Sequence, residues 1–127
     1  MTDRQNISSG SDFEPVLGYC RAVRAGSRVS VSGTAPSWPN GHIDPDPEAQ
    51  AARSLEIIAA ALAEAGATVN DVIRTRVYLV DAADFDAVAR AHGAVFGEIR
   101  PANTTVVVAA LLNPEWKVEI EAEAVIS

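Results

Sequence analysis

The chain predicts an α+β fold, a two-layer sandwich in which a mixed sheet carries two helices on one of its faces. Three observations lead there. Two segments repeat apolar residues at helical intervals along one stripe each, the other apolar segments alternate with period two, and together they run β-β-α-β-α-β-β. A helical crossover joins parallel strands with a right-handed connection while a short turn joins antiparallel ones, so the sheet combines both pairings.

Residues 1–12 are polar, include Ser8-Ser9-Gly10-Ser11, and read as an extended lead-in to a single domain spanning 1–127. Tyr19 to Ala25 and Arg28 to Gly33 flank Gly26-Ser27, the two-residue signal of an antiparallel hairpin. In the second strand Val29 and Val31 face one way, Ser30 and Ser32 the other. Cys20, out of phase with Tyr19, is expected on the helix-covered side as a small core residue. Residues 37–46 are a loop by their Pro, Asn, Asp and Gly content. Asp46 then caps a helix whose first residue is Pro47. Along it Ala51, Leu55, Ile58 and Leu62 recur at intervals of four, three and four until Gly66 ends it.

The segment Asp71 to Val80 sets Ile73, Thr75, Val77 and Leu79 against Arg74, Arg76, Tyr78 and Val80, a strand with one apolar and one partly cationic face. A second helix starts near Asp81, puts Phe85, Val88, His92, Val95 and Phe96 on one stripe and stops at Gly97. Strands near Thr104 to Leu111 and Trp116 to Ile126, joined by a proline-containing turn, complete the chain. With both helices on one face, the other displays Ser30, Ser32, Arg74, Arg76, Tyr78 and, in register, Glu119, Glu121 and Glu123. Such a mixture suits a subunit interface better than a monomer core, so a homo-oligomer is expected.

The totals narrow the functional classes. A chain of 127 residues buries roughly two thirds of its unfolded surface and is too short for two ordinary domains. Its 48% apolar and 21% charged residues are those of an ordinary globular protein. A net charge of -7 and a pI near 4.7 oppose approach to phosphate backbones, which disfavours a nucleic-acid function. Cys20 is the only cysteine, so no disulfide forms within the chain and a reducing compartment is expected. No run approaches the ~18 apolar residues of a membrane span, and a cytoplasmic location without membrane contact follows as the expectation. A phosphate-cradling Gly-rich loop, a His-Glu-x-x-His helix and a Gly-x-Ser-x-Gly elbow are all missing, and no cofactor or metal is expected.

Several separated segments, in order, resemble one family: Gly18-Tyr19, Val31-Ser32-Gly33-Thr34-Ala35-Pro36, Arg74-Thr75-Arg76-Val77-Tyr78-Leu79, Pro101-Ala102 and Val118-Glu119-Ile120-Glu121. The chain is similar over nearly its whole length to the RidA/YjgF family of small imine and enamine hydrolases. The resemblance implies a chorismate-mutase-like fold, a homotrimer whose sheets meet around a central barrel, and small-molecule pockets in the clefts between neighbours. Carried over position by position, it makes Tyr19 and Ser32 the pocket tyrosine and hydroxyl, Gly33 a close-approach glycine and Glu119 the acid that positions water. Thr105 stands where many members have a cysteine. Asn103 replaces the carboxylate-binding arginine of the deaminating members, Ala89 replaces a helix asparagine, and the turn Leu112-Asn113-Pro114-Glu115-Trp116 is about one residue longer than theirs.

Imine hydrolysis needs water at an electrophilic carbon, a carboxylate within reach of that water and a grip on the substrate. Glu119 can supply the carboxylate, or it can be an interface acid paired with Arg74 or Arg76. Arg76 is either a substitute cation in the cleft or a partner of Glu121 or Glu123. His92 is either a buried, hydrogen-bonded core residue or a proton shuttle at the pocket's border. An arginine grips a carboxylate through two charge-assisted hydrogen bonds that asparagine cannot reproduce. Asn103 therefore directs the expectation away from carboxylated imino acids, towards another small imine, enamine or related metabolite. The competing reading is a trimeric metabolite-binding protein without turnover. A ribonuclease or translation inhibitor is the least favoured, because the chain is acidic.

Overall fold

The computed structural model describes residues 4–127, and one six-stranded sheet organises them in the strand order β1-β2-β3-β6-β4-β5. The strands are β1 (Arg4–Ile7), β2 (Ala22–Ala25), β3 (Arg28–Thr34), β4 (Val72–Leu79), β5 (Ala102–Val107) and β6 (Val118–Val125). The helices are α1 (Phe13–Leu17), α2 (Pro47–Glu64) and α3 (Phe85–Phe96), with single 3-10 turns at Val69–Asp71 and Ala82–Asp84. β3 and β4 both run antiparallel to β6 between them, and are therefore parallel to each other, while β4 and β5 pair directly in parallel. Both long crossovers thus join parallel strands, as expected of helical connections.

Local chemistry sets the boundaries. Gly26 takes φ 63° in the hairpin, a left-handed backbone that costs a glycine little. The Asp46 carboxylate accepts from Ala49 N at 3.1 Å and Pro47 opens α2 where its missing N–H costs nothing. Gly66, at φ 85°, follows the last turn. Ala51, Leu55, Ile58 and Leu62 of α2 and Val88, Ala91 and Phe96 of α3 close over Val29, Val31, Val77, Leu79, Val118, Ile120, Ala122 and Ala124 of the sheet. In β6 this alternation is strict, and Glu119, Glu121 and Glu123 take the opposite face.

Several elements differ from the sequence reading. The lead-in holds a strand: β1 pairs antiparallel with β2 and buries only Ile7. α1 follows it, and β2 begins at Ala22, so Tyr19 and Cys20 lie in the connection and not in a strand. Cys20 is consequently half-buried, its thiol 3.3 Å from Ala22 O, and lies outside the hydrophobic core. A register shift between Val72 and Arg74 puts Val72 into the core and leaves Ile73 exposed, reversing the phase expected for Ile73. Phe85, the first residue of α3, is also largely exposed. β5 begins before Thr104 and ends before Leu111, and β6 starts after Trp116.

Fully buried Gln50 explains how the long turn before β6 is anchored. Its Nε2 donates to Asp44 O and Glu115 O at 2.9 and 3.0 Å, and its Oε1 accepts from Lys117 N at 2.7 Å. One side chain on α2 therefore pins both loops above the core.

Candidate functional site

The bare face of the sheet carries an ionic ladder. Arg76 Nη1 lies 3.0 Å from Glu121 and 3.8 Å from Glu123, Arg28 lies 3.7 Å from Glu123, and Tyr78 Oη donates to Glu121. Tyr78 directly opposes Glu119 across the β4–β6 pairing, and Arg76 opposes Glu121. The Glu121 hydrogen bond and burial together push the Tyr78 phenol up from its ordinary value. Arg76 is thus engaged by two carboxylates of β6.

Beside the ladder, an irregularity in the β3–β6 pairing between Val31 and Thr34 brings Gly33 against Glu119. A Cβ on Gly33 would overlap Glu119 Oε2, so the carboxylate occupies the space a side chain would need. Arg21 reaches the same place and its Nη2 donates to Gly33 O. The Ser32 hydroxyl donates to Cys20 O at 2.7 Å, leaving its two lone pairs as its remaining capacity. Burial is the largest influence on Glu119 and raises its carboxyl above the usual range, with Arg21 opposing the shift and Glu121 adding to it. Burial likewise lowers the Arg21 guanidinium, against the electrostatic influence of Tyr19, Glu119 and Glu14. Glu14 of α1 completes this corner. Its carboxylate is held low by Ser9, through hydroxyl and backbone N–H, and by the Ser8 hydroxyl. Gly33 and Glu119 therefore meet directly, Ser32 adjoins Gly33 in the chain, Tyr19 acts on Arg21 electrostatically, and Arg21 is a member that the sequence reading missed. An arginine among apolar residues two places after Tyr19 was its only signal.

Asn103, Thr105 and His92 gather elsewhere. Parallel pairing puts Asn103 beside Thr75 and Thr105 beside Val77. Thr75 and Val77 point into the core, so Asn103 and Thr105 share the helix-side face at the open edge of the sheet. Asn103 Nδ2 donates to Thr75 Oγ1 at 3.0 Å, Thr105 Oγ1 donates to Asn103 Oδ1 at 2.9 Å, and His92 Nε2 lies 2.9 Å from Thr75 Oγ1. His92 packs on Phe96, with ring centroids 4.7 Å apart, and burial lowers its pKa. Within one chain, Glu119 and Asn103 are on opposite faces of the sheet. Among the described residues, no cluster of three or more His, Cys, Asp or Glu side chains could hold a metal ion.

This fold, with Glu119 of β6 seated against Gly33 of the β3 irregularity, defines a class, and comparison with known proteins identifies it. The family described as endoribonuclease L-PSP matches residues 9–126. A 2-iminobutanoate/2-iminopropanoate deaminase of Salmonella typhimurium is 40% identical over 111 residues, covering 84% of this chain and 86% of that protein. Among solved structures, Rv2704 of Mycobacterium tuberculosis, a member of the YjgF/YER057c/UK114 family, superimposes with a TM-score of 0.91 at 44% identity, covering 98% of this chain and all of that one. Escherichia coli TdcF with bound serine gives a TM-score of 0.82 at 33% identity over 96% and 94% of the two chains. The chain belongs to the RidA/YjgF, or endoribonuclease L-PSP, family.

Proposed function

We propose that this protein is a homotrimeric hydrolase that converts a small imine or enamine to the carbonyl compound and ammonia in a cleft between subunits. The placement of Glu119 carries the reading. It is a partly desolvated carboxylate on the bare face, seated in the gap left by Gly33 and flanked by Arg21. Its ionised form takes a proton from water as the water oxygen attacks the imine carbon. The protonated acid returns that proton to nitrogen, giving a carbinolamine; the carboxylate then carries the hydroxyl proton to the amino group, and the C–N bond breaks as the carbonyl forms and ammonia leaves. A carboxyl whose pKa is raised towards neutrality serves both halves of that cycle.

Two features support a site shared between copies. Glu119 and Asn103 cannot face one cavity within a single chain, because they lie on opposite faces of its sheet. Phe13, Val16, Leu17, Val106, Val107 and Leu112 are exposed apolar side chains, and β5 offers an open strand edge. Asn103 in the arginine's place lowers the capacity for carboxylated imino acids.

The test pairs sedimentation with an ammonia-release assay on imines generated in solution. The expected result is a trimer whose turnover falls by about 10²–10⁴-fold in Glu119→Gln, with the trimer intact. A monomeric protein, or undiminished turnover in Glu119→Gln, overturns the proposal. Ligand binding without turnover of any imine establishes the metabolite-binding alternative, which Asn103 favours.

A further inference from the structure

The side chains behind Asn103 form a directed hydrogen-bond chain, and its direction follows from counting hydrogens. A threonine hydroxyl has one hydrogen and two lone pairs. Thr75 Oγ1 accepts from Asn103 Nδ2, so its own hydrogen is left for His92 Nε2, its other neighbour at 2.9 Å. Thr75 is fully buried and has no second acceptor among the described residues, so a His92 that donated to it would leave that hydrogen unspent. His92 is therefore the acceptor, a neutral imidazole with its proton on Nδ1, and the lowering of its pKa by burial agrees.

The consequence reaches Asn103. An amide has two N–H groups and two carbonyl lone pairs. One N–H is spent on Thr75 and one lone pair on Thr105. Asn103 is exposed at the sheet edge, so what remains for a ligand is one N–H and one lone pair. A carboxylate can use only the N–H and turns negative charge towards Oδ1. A carboxamide accepts from the N–H and donates to the oxygen, matching both. Arg21, beside Glu119 on the bare face, already has Glu119 and Glu14 within its electrostatic reach, and Arg74 donates to Thr104 Oγ1 at 3.2 Å.

We propose that the chain Thr105, Asn103, Thr75 and His92 makes this protein selective for a ligand that presents a neutral carboxamide where arginine-bearing relatives take a carboxylate. Asn103 contacts the ligand, and Thr75 and His92 are positioning residues that fix its amide. This deepens the function proposed above and rests on its cleft. The corresponding reaction is hydrolysis of a 2-imino amide to the 2-oxo amide and ammonia.

The experiment titrates 2-oxobutanamide and 2-oxobutanoate, two product analogues on one carbon skeleton, into the native protein and four variants by calorimetry. The native protein is expected to bind the amide about tenfold more tightly, the worth of one well-made hydrogen bond. Thr75→Val, which keeps the shape and deletes the hydroxyl, is expected to lose the preference, and Thr75→Ser to retain it. His92→Phe leaves the Thr75 hydrogen free to turn to Asn103, and the preference is expected to shrink even if Thr75→Val proves too unstable to purify. Asn103→Arg is expected to reverse it. Equal or tighter binding of the carboxylate by the native protein overturns this inference alone. So does a preference that survives in both Thr75→Val and His92→Phe. Binding of neither compound overturns the small-molecule cleft itself, and this inference with it.

Discussion

Replacing Gly33 by alanine separates the placement of Glu119 from its chemistry. The backbone at Gly33 has no positive φ, so alanine is conformationally acceptable there. The added Cβ collides only with Glu119, first with Oε2 and then with the carboxyl carbon at 3.3 Å. A carboxylate at the end of a flexible side chain can swing away, at a rotamer cost of about 0.5–1.5 kcal/mol. Loss of glycine's freedom in the unfolded chain returns about 0.4–1 kcal/mol. The net change in stability should thus lie within about 1 kcal/mol, a melting shift of a few degrees at most. Catalysis has no such compensation. Displacing the base by an ångström or more should lower kcat/KM by about 100-fold, or roughly 2.7 kcal/mol of barrier.

Ammonia release and thermal unfolding of Gly33→Ala, measured beside Glu119→Gln and the double variant, decide the matter. The double variant should be no slower than Glu119→Gln alone, because both changes remove the same interaction. Native-like turnover in Gly33→Ala would refute the assignment of Glu119 as the base. A loss of several kcal/mol of stability would refute the claim that only a mobile carboxylate stands in the way.

Three further perturbations test the neighbouring charges. Arg76→Ala removes the cation between Glu121 and Glu123 and should weaken self-association at least tenfold, read by dilution in sedimentation; an unchanged assembly would place the ladder outside the interface. Arg21 lowers the Glu119 pKa, so Arg21→Gln should move the acid limb of the kcat/KM profile to higher pH, and a limb that stays put or moves down contradicts the electrostatic coupling. The folded-state pKa of Glu14 is depressed, so its stabilisation is present above the unfolded carboxyl value of about 4.3 and disappears as pH falls through the folded value. Glu14→Gln should therefore melt below the native protein at neutral pH, with the gap closing on acidification, and a gap independent of pH would point to packing.

Patterns that repeat along the chain were legible, and those that depend on pairing across it were not. The hairpin at Gly26-Ser27, the Asp46-Pro47 helix start and the alternation of β6 each follow from adjacent residues and were all found in place. β1 escaped notice because three of its four side chains are exposed, so nothing but backbone pairing to β2 distinguishes Arg4–Ile7 from a loop. Ile73 was misplaced by a bulge whose origin lies in the β4–β6 register. That register becomes fixed only once both strands are side by side.

The same distinction explains the site. Glu119 and Gly33 were recognisable as types in a known pattern, whereas their contact depends on the irregular pairing of β3 with β6, 86 positions apart in the chain. Asn103 was visible as a substitution, but its meaning changes once Thr75 lies opposite it and His92 behind that. A lone asparagine replacing arginine reads as a lost grip. An asparagine with half its hydrogen-bonding capacity spent on two threonines, one of them backed by a neutral histidine, is a fixed and polarised surface instead. Burial of Thr75 makes its hydroxyl costly to leave unpaired, so the contacts to His92 and Asn103 hold together. Specificity at this position should accordingly respond to Thr75, which a ligand need not touch, as strongly as to Asn103, which it does.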